Sequence, residues 1–487
     1  MSTDATIQEI NEVMNASWEA FHVYRKLSLK QRAGFMRAIA KELEAAGDEL
    51  IRTAMQETNL PEARLRGERG RTIYQLESYA DACEKGEWLE ARIDQANPGK
   101  TPPKPDIRKM LVPVGPVVVF GASNFPFAYS TAGGDTATAF AAGCPVIVKA
   151  HPAHPRTSYL AAQAIFRAAE NTGMPAGVFA HVTGMSFEVG KALVTHTYCK
   201  AVGFTGSYAG GKQLFDWANQ RPEPIPVFAE MGSVNPVFLL PEKLAAAAAD
   251  IATQYAGSIT LGVGQFCTNP GLIIGIDGTD LQQFIHDLGK AIQQTLPGIM
   301  LHQGIADNFA AKREEALMQD NVHLVAESNQ PVADLAAGVP TVATVDGKTF
   351  LANPLLHKEV FGPYSLVVRC ADAVEMLQVA LHLEGQLTAT LMATTKDMAA
   401  NDALVEAVKN ICGRIVLNGV PTGVEVCLSM QHGGPFPAST DSRFGSVGAD
   451  AIKRFARPLS FQNWPDELLP EELKEGNPLG ITRAVSS

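Results

Sequence analysis

Residues 117–126 read Val117-Val118-Val119-Phe120-Gly121-Ala122-Ser123-Asn124-Phe125-Pro126. A β-branched apolar run that stops at a glycine, ahead of polar residues and a proline, predicts a buried strand running into a loop. Four further runs of this kind follow: Val146–Ala150, Val178–Val182, Ala201–Thr205 and Val227–Ala229. Stretches with helical spacing separate them, at Ala132–Ala142, Thr157–Thr172, Met185–His196 and Ala209–Arg221. Strand–helix alternation builds a parallel sheet with right-handed crossovers, and such sheets bind ligands at the carboxyl ends of their strands.

The expected fold class is therefore α/β, with a Rossmann-type cofactor domain over 114–232 joined by the helical residues 1–100. Ile7–His22, Leu29–Ala46 and Asp48–Glu57 carry apolar residues at helical spacing. After Gly232 the rhythm restarts, with a helix near Glu242–Leu261 and a strand at Leu272–Ile276, which predicts a second, catalytic α/β domain over 233–448. Ile107–Pro113 is expected to be an edge strand or an arm. Residues 101–113 and the proline-punctuated 449–487 are assigned to an oligomerisation arm and tail.

A formal charge of -11 and no dense basic run exclude nucleic acid or an anionic membrane as an expected partner. Met1–Asn15 lacks an apolar signal core, and no apolar run approaches a membrane span. Seven scattered cysteines without a CxxC pair suggest neither a disulfide framework nor a zinc knuckle, so a reducing cytoplasm and a metal-free site are expected.

Cys267 follows Gly262 and Gly264, glycines that let the backbone turn tightly beside a ligand. Taken alone, it reads as readily as a buried core thiol. Glu230 closes the fifth run, where a carboxylate can activate water or stand as a solvated acid. Asn124 offers an amide to an oxyanion, or is a turn residue ahead of Pro126. Gly206-Ser207-Tyr208-Ala209-Gly210-Gly211 joins a strand to a helix whose N-terminal amides, with Ser207, suit a pyrophosphate. It is not a strict GxGxxG.

In order and spacing, these segments resemble the aldehyde dehydrogenase superfamily over about residues 20 to 460. The carrying motifs are Ser123-Asn124-Phe125-Pro126, Val148-Lys149-Ala150-His151-Pro152, Phe204-Thr205-Gly206-Ser207, Glu230-Met231-Gly232-Ser233, Gly264-Gln265-Phe266-Cys267 and Glu359-Val360-Phe361-Gly362-Pro363. The resemblance implies that Cys267 attacks an aldehyde, Asn124 and the Cys267 amide hold the oxyanion, and Glu230 activates the water that cleaves the thioester. It implies that Lys149 meets the adenosine ribose, Gly206 and Ser207 the pyrophosphate, and Glu359 the nicotinamide ribose, with Phe361 nearby. It also implies a homodimer or homotetramer.

Two departures from the family pattern bear on specificity. Many NAD-preferring members carry a glutamate three residues after the lysine, where this chain has Pro152. With Lys149, His151, His154 and Arg156 near it, this predicts NADP as cofactor, with NAD as a second option. Late in the chain, Gly433-Gly434-Pro435-Phe436-Pro437-Ala438-Ser439-Thr440, with His432 beside it, replaces a more usual Pro-Phe-Gly-Gly segment. A loop histidine is expected to be solvated, and sharing proton transfer is the alternative for His432.

Within the superfamily the motifs resemble NADP-linked α-ketoglutarate semialdehyde (2,5-dioxopentanoate) dehydrogenases, which close a non-phosphorylating route of pentose or sugar-acid breakdown. That branch also holds a fatty aldehyde dehydrogenase. No residue pattern identifies a carboxylate pocket; Arg443 is the residue named as a carboxylate partner. The rival readings are a coenzyme A-acylating enzyme, a silent binding protein, and a cysteine hydrolase with a histidine such as His432 on Cys267 and no nicotinamide site.

Overall fold

The computed structural model describes residues 4–332 and 334–486. The first three residues and position 333, which fall in the expected cofactor and catalytic segments, and Ser487 of the expected tail lie outside the described residues.

Strands β1 (Val117–Phe120), β2 (Val146–Lys149), β3 (Phe179–Val182), β4 (Ala201–Thr205) and β5 (Val227–Glu230) form one parallel sheet in the order β3-β2-β1-β4-β5. Side chains alternate between its two faces. Val117, Val119, Val146 and Val148 pack with Phe35 and Phe140 on one face. Val118, Ile147 and Val202 pack with Ile10, Met14 and Leu193 on the other. Helices thus cover both faces, which is why these strands are nearly all apolar. Each fully buried valine contributes about 1.5–3 kcal/mol. The strand order reverses at β1, between β2 and β4, so a crevice opens at the carboxyl ends of β1 and β4.

Strands β6 (Val237–Leu239), β7 (Leu272–Ile276), β8 (His323–Glu327), β9 (Thr341–Asp346), β10 (Tyr364–Cys370), β11 (Gln386–Met392) and β12 (Cys412–Leu417) form a seven-stranded sheet, β8-β9-β10-β7-β6-β11-β12. All neighbours are parallel except β8, which runs antiparallel to β9.

Ile107–Pro113 is not an edge strand. It lies inside a four-stranded sheet, paired antiparallel with Ala456–Gln462 on one side and Arg92–Asp94 on the other. Its burial alternates because one face of this sheet packs on the protein and the other is more open. The longest helix among the described residues, Glu62–Lys85, follows the three predicted helices in the chain and packs against Leu29–Ala45 and Gly134–Ala142. No helix among the described residues is long and apolar enough to cross a membrane. All seven cysteines are free.

Candidate active site

Cys267 is held by a turn of unusual backbone. Gly262, Val263 and Gly264 all have positive φ, 55°, 58° and 64°. A Cβ on Gly264 would lie 2.3 Å from the Gly362 carbonyl carbon, so the two motifs meet backbone to backbone. Asn269 ties them again by donating to Gly362 O at 3.1 Å. Asn235 fixes the far side by donating to Cys267 O at 2.8 Å. The thiol lines a cavity of about 440 Å³, together with Asn124, Gly206, Ser207, Glu230, Glu359 and Phe361.

Glu230 ends β5 and is 4 % exposed. Its Oε2 accepts from Ser446 Oγ at 2.5 Å, and its Oε1 lies 2.9 Å from His432 Nε2. The same Nε2 lies 3.6 Å from Cys267 Sγ. His432 is 1 % exposed, which corrects the expectation of a solvated loop histidine. The loop holding it is anchored to β5 through Met231 N to Ala438 O, 2.8 Å. Ligand-type atoms of Glu230, His432 and Cys267 all lie within 4.8 Å of one another.

The electrostatics of these groups differ in direction. Burial raises the Cys267 thiol well above its ordinary value, and the charges of Glu230 and Glu359 push the same way. Burial also acts to raise Glu230, but His432, Ser446 and Arg454 outweigh it, so the carboxyl falls below its ordinary value. The resting pair is thus a neutral thiol facing a carboxylate across an imidazole nitrogen. With the proton of the neutral ring on Nδ1, Nε2 can take the proton from sulfur, and the Nε2–H so formed donates to the carboxylate.

Asn124 lies in the loop after β1. Its Nδ2 donates to Gln265 O at 3.1 Å, which fixes the amide and leaves its second N–H for the cavity. Helix Glu62–Lys85 sets this loop. Glu68 accepts from Phe127 N at 2.8 Å and Ala128 N at 3.1 Å, and Arg64 donates to Asn124 O at 3.0 Å.

The cavity continues past His151 and Phe204 into a second hollow of about 250 Å³ lined by Lys149, Pro152, Ser186, Phe187 and Trp217. Gly206 and Ser207 sit at the junction of β4 and helix Tyr208–Asn219. Ser207 caps that helix, accepting from Gly210 N at 3.2 Å. Glu359 opens into the first cavity with Ser233 N–H, at 3.4 Å, as its one donor among the described residues. Burial lifts its carboxyl to about 7. Gly232 gives this carboxylate room, because a Cβ there would stand 2.5 Å from Glu359 Oε2 and the side chain would have to move. A long hollow with helix N-terminal amides at its middle and a donor-poor carboxylate in its wall fits a dinucleotide with ribose hydroxyls.

Nine of the ten residues expected for the site line these two cavities. Arg156 does not: it is exposed, lies 3.7 Å from Glu49 and covers the Tyr159 ring. His151 lines both cavities, but burial keeps its ring well below its ordinary pKa and therefore neutral near pH 7. Arg443 is exposed and paired with Asp441. Sequence reading missed Glu68, Arg64, Tyr129 and Ser446, which act through contacts distant in the chain. Only the helical spacing of Arg64, Glu68 and Arg71 on one face hinted at them.

The model of the aldehyde dehydrogenase family matches residues 2–456. The chain is 50% identical over 476 residues to alpha-ketoglutaric semialdehyde dehydrogenase 2 of Azospirillum brasilense, covering 98% of this chain and 90% of that one. It is 44% identical over 486 residues to alpha-ketoglutaric semialdehyde dehydrogenase of Acinetobacter baylyi, covering 99% and 92%. Its fold is similar to the glyceraldehyde-3-phosphate dehydrogenase of Methanocaldococcus jannaschii solved with NADP, with TM-score 0.79, 21% identity and 95% of each chain covered.

Proposed function

This chain belongs to the aldehyde dehydrogenase family, and from that premise we propose that it oxidises α-ketoglutarate semialdehyde to α-ketoglutarate through a thioester on Cys267, with a preference for NADP. The two similar enzymes support the substrate. The observation that carries the chemistry is Nε2 of His432, set between the Cys267 thiol and the Glu230 carboxylate.

His432 takes the thiol proton and the sulfur attacks the aldehyde carbon. The oxyanion is received by Asn124 Nδ2 and the Cys267 N–H. The nicotinamide, when bound, supplies the two-electron acceptor for this oxidation. Lys149, Gly206, Ser207, Glu359 and Phe361 would hold the dinucleotide, with Glu359 accepting from ribose hydroxyls. Glu230 then removes a proton from the water that attacks the thioester. Sulfur leaves as a thiolate and recovers its proton, and the acid departs.

The family members need a nicotinamide cofactor; the preference for NADP is our reading of the adenosine-side hollow. Its lining holds Lys149 and no carboxylate, and Pro152 occupies the place of the ribose-binding glutamate. Pro152→Glu should shift the kcat/KM ratio toward NAD by tenfold or more; an unchanged ratio would sink this reading.

The Cys267–His432 pair also suits a cysteine hydrolase, but the two joined cavities and the family leave that rival without support. The free cysteines support a reducing compartment such as the cytoplasm. We assign the four-stranded sheet of 92–94, 107–113, 456–462 and 484–486 to assembly as a homodimer or homotetramer. A stable active monomer in sedimentation would contradict this.

Initial rates with α-ketoglutarate semialdehyde, glutarate semialdehyde and a long-chain aliphatic aldehyde, each with NAD, NADP and added coenzyme A, test the whole assignment. The expected outcome is highest kcat/KM for the keto-acid semialdehyde with NADP and no acyl-coenzyme A. Preference for the aliphatic aldehyde, or thioester transfer to coenzyme A, would overturn it.

A further inference from the structure

Two arginines from distant parts of the chain bind one short segment, and one of them also touches a wall residue of the Cys267 cavity. Arg71 comes from helix Glu62–Lys85 and Arg414 from β12. Both bind the same short segment: Arg71 Nη1 donates to Val424 O, while Arg414 donates to Gly423 O at 3.0 Å and Pro421 O at 2.7 Å. Arg71 Nη2 also reaches Tyr129 Oη at 3.4 Å, and its guanidinium stands 5.9 Å from the centre of that ring. Tyr129 lines the cavity with Cys267, and its ring lies 6.2 Å from that of His432.

The charges of these two guanidiniums are not balanced locally. Neither has a carboxylate within 4.0 Å among the described residues, whereas Arg64 in the same helix faces Glu68 at 3.9 Å and Arg454 faces Asp135 at 2.8 Å. Their protein partners are neutral carbonyls and a phenol. In both, the Nε–H is buried with no acceptor. A half-buried cation with no carboxylate beside it is costly unless an anion arrives to pair with it. Guanidinium groups suit a carboxylate because their N–H donors are planar and forked. The field of Arg414 also reaches Cys267, acting to lower its thiol pKa.

We infer that Arg71 and Arg414, with Tyr129 Oη beside Arg71, bind the carboxylate of the substrate and make the site selective for aldehydes that carry an acid at their far end. This rests on the reading of α-ketoglutarate semialdehyde as substrate. It adds where the charged end lies and which residues discriminate it from neutral aldehydes.

The test compares Arg71→Met, Arg414→Met and Arg71→Lys with the wild type, on α-ketoglutarate semialdehyde and on pentanal. Glutarate serves as an unreactive competitor against pentanal. A hydrogen bond to a charged group contributes about 1.5–3 kcal/mol, so the semialdehyde-to-pentanal ratio of kcat/KM should fall about 10- to 100-fold in each Met variant, mainly through KM. Arg71→Lys should recover part of the ratio, and competition by glutarate should vanish in the Met variants. An unchanged ratio, or glutarate inhibition that persists, would overturn the inference. Failure of the substrate reading would show instead in the wild type, as oxidation of pentanal but not of the semialdehyde. Glutarate then still decides: competition in the wild type that is lost in the variants supports the carboxylate site, and no competition in the wild type overturns it.

Discussion

Replacing His432 with Gln removes the ring nitrogen that accepts the thiol proton, while an amide of similar reach keeps a polar group facing the carboxylate. The thiol then has no acceptor at 3.6 Å for its proton. An ordinary thiol of pKa about 8.5 is only about 3% ionised at pH 7. Burial and the charges of Glu230 and Glu359 place Cys267 below that fraction. A positioned general base contributes about 10²–10⁴ in rate, so kcat/KM at pH 7 should fall about 10²- to 10³-fold. With hydroxide left to ionise the thiol, the variant's rate should climb about tenfold per pH unit toward pH 9 and beyond. Stopped-flow absorbance of the reduced cofactor between pH 6 and 10 measures both quantities, with melting curves to confirm folding. A folded variant within threefold of wild type and with an unaltered pH profile would refute the role of His432.

Three further predictions follow from the same geometry. Asn124→Ala removes an oxyanion donor, so kcat should drop about 10²- to 10³-fold while the melting temperature changes little; retained turnover would return Asn124 to a turn residue. Burial lifts the Glu359 carboxyl to about 7, and ribose hydroxyls donate better to its ionised form. Cofactor affinity measured by calorimetry should therefore weaken as pH falls through 7 and level off above it, a dependence that Glu359→Gln abolishes; a flat profile in the wild type would contradict the contact. Gly264→Ala combines φ of 64° with a Cβ 2.3 Å from Gly362. It should cost more than about 1 kcal/mol in stability and displace Cys267, visible as a lower melting temperature and lost turnover.

The parallel sheet was legible because its strands are apolar on both faces and bounded by glycine and polar residues. β4 agrees with the expected Ala201–Thr205 end to end, and the other four differ by a residue at one end. Ile107–Pro113 misled because its alternating pattern cannot distinguish an edge from a strand with a neighbour on each side; the second partner is 456–462, more than three hundred residues away. At the site, Cys267, Glu230 and Asn124 were legible because each follows a strand or helix end in a local motif. The pairing of His432 with Glu230 was not, because Ser446 and the bridge from Glu230 to Ser439 that bury this loop are long-range contacts. Arg156 was placed by proximity in sequence alone. Helix Pro155–Asn171 turns its side chain outward to Glu49.

The most direct test of the thioester on Cys267 is a single-turnover experiment on Glu230→Gln. The enzyme is mixed with α-ketoglutarate semialdehyde and NADP, quenched, and digested for mass spectrometry. The account predicts a burst of reduced cofactor near one equivalent per site, slow later turnover, and an acyl adduct on the peptide containing Cys267. No burst together with no adduct on that cysteine would contradict the account, as would an adduct located on any other residue.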